Sequence, residues 1–121
     1  MGTGFHDLEV WREAKNLAVE IYRATTNLSD YGLRDQLRRA AVSVPSNIAE
    51  GDERDTDKDC LRFFFMAKGS LAEVRTQLEI AAEVGLLSPV VATPLQARAT
   101  VLAKRLGALI KSRSTSIASR P

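Results

Sequence analysis

Apolar residues recur along this chain at alternating spacings of three and four, and no stretch shows useful strand-like alternation. That period places them on one face of a helix. Val10, Ala14, Leu17, Ile21, Ala24 and Leu28 form the first stripe, widened by Trp11, Ala18 and Tyr22. They predict a helix from about Asp7 to Leu28, broken at Asn27-Leu28-Ser29-Asp30. A second helix opens near Tyr31-Gly32-Leu33 and carries Leu33, Leu37, Ala41, Val44 and Ile48. Pro45 falls inside this pattern, where it lacks a backbone donor and crowds the carbonyl of Ala41. A kinked continuous helix and two short helices both satisfy the pattern. The kink is the better reading, because Ser46 to Glu50 resume the same face, and Gly51 is a plausible stop.

The third helix follows Thr56-Asp57-Lys58-Asp59, a capping-box variant with Asp in place of Glu. Leu61, Phe64, Leu71, Val74, Leu78 and Ala81 carry its stripe, interrupted at Lys68, to a stop near Gly85. At 1.5 Å per residue it would span roughly 40 Å. Ser88-Pro89 reads as the cap and first turn of a fourth helix, with Leu95, Ala99, Leu102, Leu106 and Leu109 inward. Pro94 would delay its regular part to Thr93-Pro94. Beyond about Ser112 the sequence is polar and aperiodic, so residues 113–121 read as a flexible basic tail and residues 1–6 as an N-terminal extension.

Four amphipathic segments joined by short connections predict an all-α fold: an antiparallel up-down-up-down four-helix bundle over residues 7–112, kinked at Pro45. One feature does not fit a single chain. Phe63, Phe64 and Phe65 are consecutive and cover about 200° of helix surface at roughly 100° per residue, so they cannot all face one core. At least one should meet another subunit or a flanking loop, since a buried Phe contributes roughly 1.5–3 kcal/mol. All three are therefore candidates for an oligomer interface.

Composition narrows the chemistry. The chain has 121 residues, 45% of them hydrophobic, only 6% aromatic, and a single cysteine. Cys60 cannot form an intrachain disulfide, which fits a reducing compartment. Met1 to Asp7 lack a signal-peptide pattern, and no run approaches the roughly 18 apolar residues of a membrane span. A cytoplasmic protein with no membrane association is expected. His6 is the only histidine, so neither a histidine triad nor a histidine metal cluster can be assembled within one chain. Cys60 has Asp57 and Asp59 nearby, which raise a thiol pKa rather than activate it. Glu50, Asp52, Glu53, Asp55, Asp57 and Asp59 alternate as in calcium loops, but lack the glycine at the sixth position and the closing glutamate. A solvated loop and a favourable charge at a helix start explain them better. No catalytic residue, metal ligand or cofactor is assigned.

The basic residues say more. Net charge is +2, yet residues 85–121 hold six Lys/Arg and no acid, against eleven Lys/Arg and fifteen Asp/Glu in residues 1–84. Arg34, Arg38 and Arg39 lie within two turns of the second helix. On the fourth, Arg98 and Arg105 are seven apart, as are Lys104 and Lys111. Such a strip attracts phosphate backbones without reading sequence; the plainer alternative is a solvated face. No aromatics interleave with it, so base stacking is not indicated.

One segment goes beyond generic helix: Tyr31-Gly32-Leu33, then Gln36 through Gly51, ending Pro45-Ser46-Asn47-Ile48-Ala49-Glu50-Gly51. With Val10-Trp11, Ile21-Tyr22, Phe63, Gly69-Ser70-Leu71 and Gln77-Leu78, it closely resembles the bacterial four-helix bundle family first noticed in intervening sequences of 23S ribosomal RNA genes. The accessory variability determinant of diversity-generating retroelements is similar to that family. The resemblance covers roughly residues 5–112 and implies a ring-like homopentamer. Its retroelement branch further implies nucleic acid and a reverse transcriptase as partners. Asn27-Leu28-Ser29 replaces an aromatic-proline element common in the family, and Arg75 and the basic tail also depart from it, so the resemblance implies the family and not that branch.

Without the family, Pro45, Ser46, Asn47, Glu50 and Gly51 read as a structural signature. Ser43, Ser46 and Asn47 can serve backbone groups freed by Pro45, Gly69 and Ser70 can offer a narrow approach, and Glu50 can pair with Arg54. The expected function is a non-enzymatic homo-oligomeric binding or scaffolding module, with RNA or DNA on its basic surface. The competing reading is a protein–protein adaptor, for a reverse transcriptase for example, anchored by Phe63 or Phe65.

Overall fold

The computed structural model describes residues 4–118. Four helices follow one another: α1 (Glu9–Ala24), α2 (Tyr31–Asp52), α3 (Asp57–Glu83) and α4 (Pro89–Ala118). A single 3-10 turn (Gly4–Asp7) precedes them. Each helix packs on its neighbours in sequence and α4 closes against α1, while the backbones of α1 and α3, and of α2 and α4, stay apart across the bundle. Named contacts give the directions. Arg38 near the start of α2 meets the end of α1, and the end of α2 meets the start of α3 at Gly51 and Phe64. Arg113 near the end of α4 meets Cys60 at the start of α3, and Arg105 of α4 meets Glu9 at the start of α1. These are the pairings of an up-down-up-down bundle.

The core is the set of stripes read from the period. Ile21, Leu37, Ile48, Phe64, Val74, Leu78, Ala99 and Leu106 are fully buried, and the leucine zone continues through Leu71, Leu95 and Leu102. Local signals set the helix starts. The Asp30 side chain accepts from Leu33 N–H at 3.0 Å and opens α2; Thr56 Oγ1 accepts from Asp59 N–H at 3.2 Å and opens α3. At the end of α3, Gly85 takes φ +78° and Leu86 N–H donates to Ala81 C=O at 2.8 Å, the Schellman closure that only an unhindered residue makes easily.

Several boundaries differ from the sequence expectation. α1 ends at Ala24 rather than Leu28, because Thr25 and Thr26 hydroxyls turn back onto the Ile21 and Tyr22 carbonyls. α2 runs unbroken through Pro45, which excludes two separate helices there. α4 is regular from Pro89, not from Thr93. The expected tail is helical as far as Ala118, held by Arg113; residues 119–121 lie outside the described residues. The N-terminal extension is structured from Gly4, where Phe5 and His6 pack on Trp11 with ring centroids 4.9 and 4.8 Å away. No described helix is long and apolar enough to cross a membrane.

Candidate functional site

The consecutive phenylalanines separate into three environments. Phe64 is wholly buried and lies against Gly51, where an added Cβ would come within 2.8 Å of its ring. Phe63 is also buried, at 8% exposure, beneath two guanidinium groups: Arg54 at 4.4 Å and Arg62 at 4.7 Å from its centroid. Neither is open to another subunit, so both drop out as interface candidates. Phe65 is 53% exposed on the outer face of α3, beside the exposed Met66. Of the three, Phe65 alone can meet a partner, and Arg54 serves Phe63 rather than forming an ion pair with Glu50.

The basic residues do not form one surface. α2 and α4 sit at opposite corners of the bundle. On α2, Arg38 Nε donates to Thr25 Oγ1 at 2.8 Å, its Nη2 donates to Tyr22 C=O at 3.1 Å, and its guanidinium lies 4.5 Å from the Tyr22 ring. It is a cap on the end of α1, not a free cation. Arg34 is shared between Asp35 and the Tyr31 ring. Arg39 is exposed beside a polar groove between α2 and α3 lined by Gln36, Ser43, Ser70, Glu73 and Gln77. On α4, Arg105 is paired with Glu13 and with Glu9 at 3.3 Å, so α1 neutralises the middle of the predicted strip. Arg98, Lys104 and Lys111 remain exposed.

The signature segment does structural work between helices. Asn47 Nδ2 donates to the Ser43 carbonyl and hydroxyl, each at 2.9 Å, and the Ser43 and Ser70 hydroxyls are bonded at 2.8 Å across the α2–α3 seam. Asn47 therefore reinforces the Ser43 carbonyl, not the Ala41 carbonyl that Pro45 leaves without its helical donor. Ser46 and Glu50 are exposed, Pro45 and Gly51 buried. Ser70 joins α3 to α2 through its bond to Ser43. The narrow approach expected at Gly69 is absent: open space surrounds the position of its missing Cβ.

Sequence reasoning missed two interactions. Thr25 is a fully buried polar residue that donates to Ile21 C=O at 2.7 Å while accepting from Arg38. Arg113 reaches Cys60 Sγ at 3.4 Å and lies 5.6 Å from the Phe64 ring, with Asp52 at 4.0 Å. Burial pushes the Cys60 thiol above its ordinary range; Arg113 opposes this, and Asp52 and Asp57 add to it. Nothing in the local sequence marks Arg113 as the partner of a residue 53 positions away. Among the described residues, no three His, Cys, Asp or Glu side chains converge as metal ligands.

The chain matches the profile of the 23S rRNA-intervening sequence proteins over residues 6–108, nearly the whole bundle. It belongs to that family. A crystal structure at 1.70 Å has a similar fold: a protein of unknown function from the S23 ribosomal protein family of Bacteroides thetaiotaomicron VPI-5482. The two share 19% identity with a TM-score of 0.80, over 84% of this chain and 98% of that one. At that identity the likeness speaks for the bundle alone. No curated protein matches the chain.

Proposed function

We propose that this member of the family is a homo-oligomeric helical scaffold of the cytoplasm, five copies by family resemblance, which acts by binding rather than by catalysis. One observation carries the reading: Phe65 and Met66 stand side by side on the open face of α3, 53% and 47% exposed, next to the buried Phe63 and Phe64. Large adjoining apolar side chains left in water mark an interaction surface. The buried, unactivated Cys60 and the dispersed carboxylates support binding over chemistry. The test is a Phe65→Asp/Met66→Asp variant. It should keep its helical circular dichroism and lose self-association; unchanged association would remove this face from the account.

A second reading concerns what the scaffold holds. Arg98, Lys104 and Lys111 are exposed on a helix without a single acid, and an assembly would repeat that strip in every copy. Multiplied cations suit the phosphate backbone of RNA or DNA, bound without sequence preference. A protein partner, a reverse transcriptase for instance, would instead use apolar contacts that persist in high salt. Titrating a short single-stranded RNA and duplex DNA at two salt concentrations separates them.

A further inference from the structure

Among the described residues, one buried side-chain polar atom has no hydrogen-bond partner: Oε1 of Gln77. A buried acceptor left unmet is costly, and it calls for a reason. Gln77 lines the polar groove between α2 and α3, an open cleft of about 400 Å³. The residue as a whole is only half-buried, so a rotation of its side chain brings Oε1 out to the groove.

Because α2 and α3 run antiparallel, the polar residues of this groove fall into three rungs about one helical turn, roughly 5.4 Å, apart. Ser43 and Ser70 close the first: their hydroxyls are bonded at 2.8 Å, and Asn47 donates to Ser43 Oγ at 2.9 Å. Gln36 and Gln77 flank the third. Arg39 and Glu73 make the second, from opposite walls, with the buried Ala40 beside them. Among the described residues, neither Arg39 nor Glu73 has a hydrogen bond or an ion pair. That sets Arg39 apart, since Arg34, Arg38, Arg54, Arg105 and Arg113 each hold a partner within the chain. Opposite charges that share a groove without pairing leave a gap with a cationic wall, an anionic wall and a spare acceptor one turn away.

We propose that this groove binds a free α-amino acid, its carboxylate on Arg39 and its ammonium shared between Glu73 and Gln77 Oε1. The guanidinium fork takes a carboxylate through two parallel hydrogen bonds. An ammonium has three donors, enough for the Glu73 carboxylate and the unmet oxygen together. A simple anion would face Glu73 and leave Gln77 unmet, and a simple amine would face Arg39. A neutral polyol would match the amides of Gln36 and Gln77 but draw nothing from the opposed charges. Only a small zwitterion answers all three groups, and this site is complete within one chain.

Titration calorimetry of the full chain with glycine, L-serine and L-glutamine in turn tests it. At least one should bind with a Kd of about 0.1–1 mM, the range open to so small a ligand. Acetate and methylamine, which carry one charge each, should bind at least about tenfold more weakly. Arg39→Gln and Glu73→Gln should each weaken amino-acid binding by about tenfold or more. Both side chains are exposed, so helical circular dichroism and the melting midpoint should be kept. Gln77→Leu should also weaken binding, yet melt no lower than the unmodified chain, because the unmet acceptor is gone. A glutamine with a purely structural role would instead lower the midpoint and leave binding unchanged. Three results would overturn the proposal. One is no binding of any of the three amino acids at about 10 mM. Another is acetate binding as tightly as the amino acids, which reduces the site to an anion contact at Arg39. The third is binding that survives both Arg39→Gln and Glu73→Gln, which places it elsewhere on the molecule.

Discussion

Gly51 and Gly69 are both glycines inside helices, and the packing predicts opposite responses to the same substitution. A Cβ at Gly51 would stand 2.8 Å from Cδ1 and Cε1 of Phe64 and 3.0 Å from the Cys60 carbonyl oxygen. Carbon atoms prefer separations of roughly 3.5–4.0 Å, and Phe64 is fully buried, so its ring cannot swing aside. Overpacking of this kind costs about 1–3 kcal/mol. The better helix propensity of alanine returns at most about 1 kcal/mol, and less in a last turn. Gly51→Ala should therefore destabilise by about 1–2 kcal/mol, lowering the melting midpoint by roughly 4–8 °C at about 4 °C per kcal/mol. Gly69→Ala meets open space and should raise stability by about 0.5–1 kcal/mol. The assay is thermal and urea unfolding, with both substitutions placed in the Phe65→Asp background so that association between copies does not enter. Combining Gly51→Ala with Phe64→Leu should recover part of the loss, because the two positions share one contact. A Gly51→Ala chain as stable as its parent, or a Gly69→Ala chain equally damaged, would refute the packing argument.

Three further outcomes follow from single interactions. Arg38→Ala removes the contacts to Thr25, the Tyr22 carbonyl and the Tyr22 ring; it should cost about 1–2 kcal/mol in urea unfolding, and Arg38→Lys should rescue little because it lacks the planar fork. Cys60 has its pKa raised in the folded state, so folding favours the protonated thiol. Stability is then fully present below about pH 9 and falls as pH rises from there through the folded value; Cys60→Ala should abolish that part of the alkaline decline in a pH series of melts. For nucleic acid, Lys104→Glu/Lys111→Glu should weaken RNA and DNA binding and flatten its salt dependence, whereas Arg105→Glu should chiefly disturb the α1–α4 seam; filter binding at two salt concentrations reads both.

The bundle was legible because each helix buries a continuous stripe, and a stripe is a local property of the chain. Asp30, Thr56 and Gly85 announced helix ends for the same reason: each satisfies backbone groups within its own turn. The errors lie where a distant residue decides. α1 stops at Ala24 because Arg38, on another helix, joins Thr25 in holding the last turn. α4 continues to Ala118 with Arg113 anchored on Cys60 and Asp52, which no periodicity reveals. The i, i+7 spacing of Arg98 and Arg105 correctly puts them on one face of α4, yet says nothing of the carboxylates that α1 brings to Arg105. The phenylalanine triplet showed that one ring must look outward. Which one depended on Arg54 and Arg62 covering Phe63.

Self-association is the claim on which both the scaffold and the role of the exposed α3 face depend. The most direct test is the solution mass of the unmodified chain, measured by light scattering across a dilution series at high and low salt. The account predicts a closed assembly of a fixed number of 13.3 kDa chains, five by family resemblance, which persists in high salt because its contact is apolar. A mass of 13.3 kDa at every concentration would contradict it.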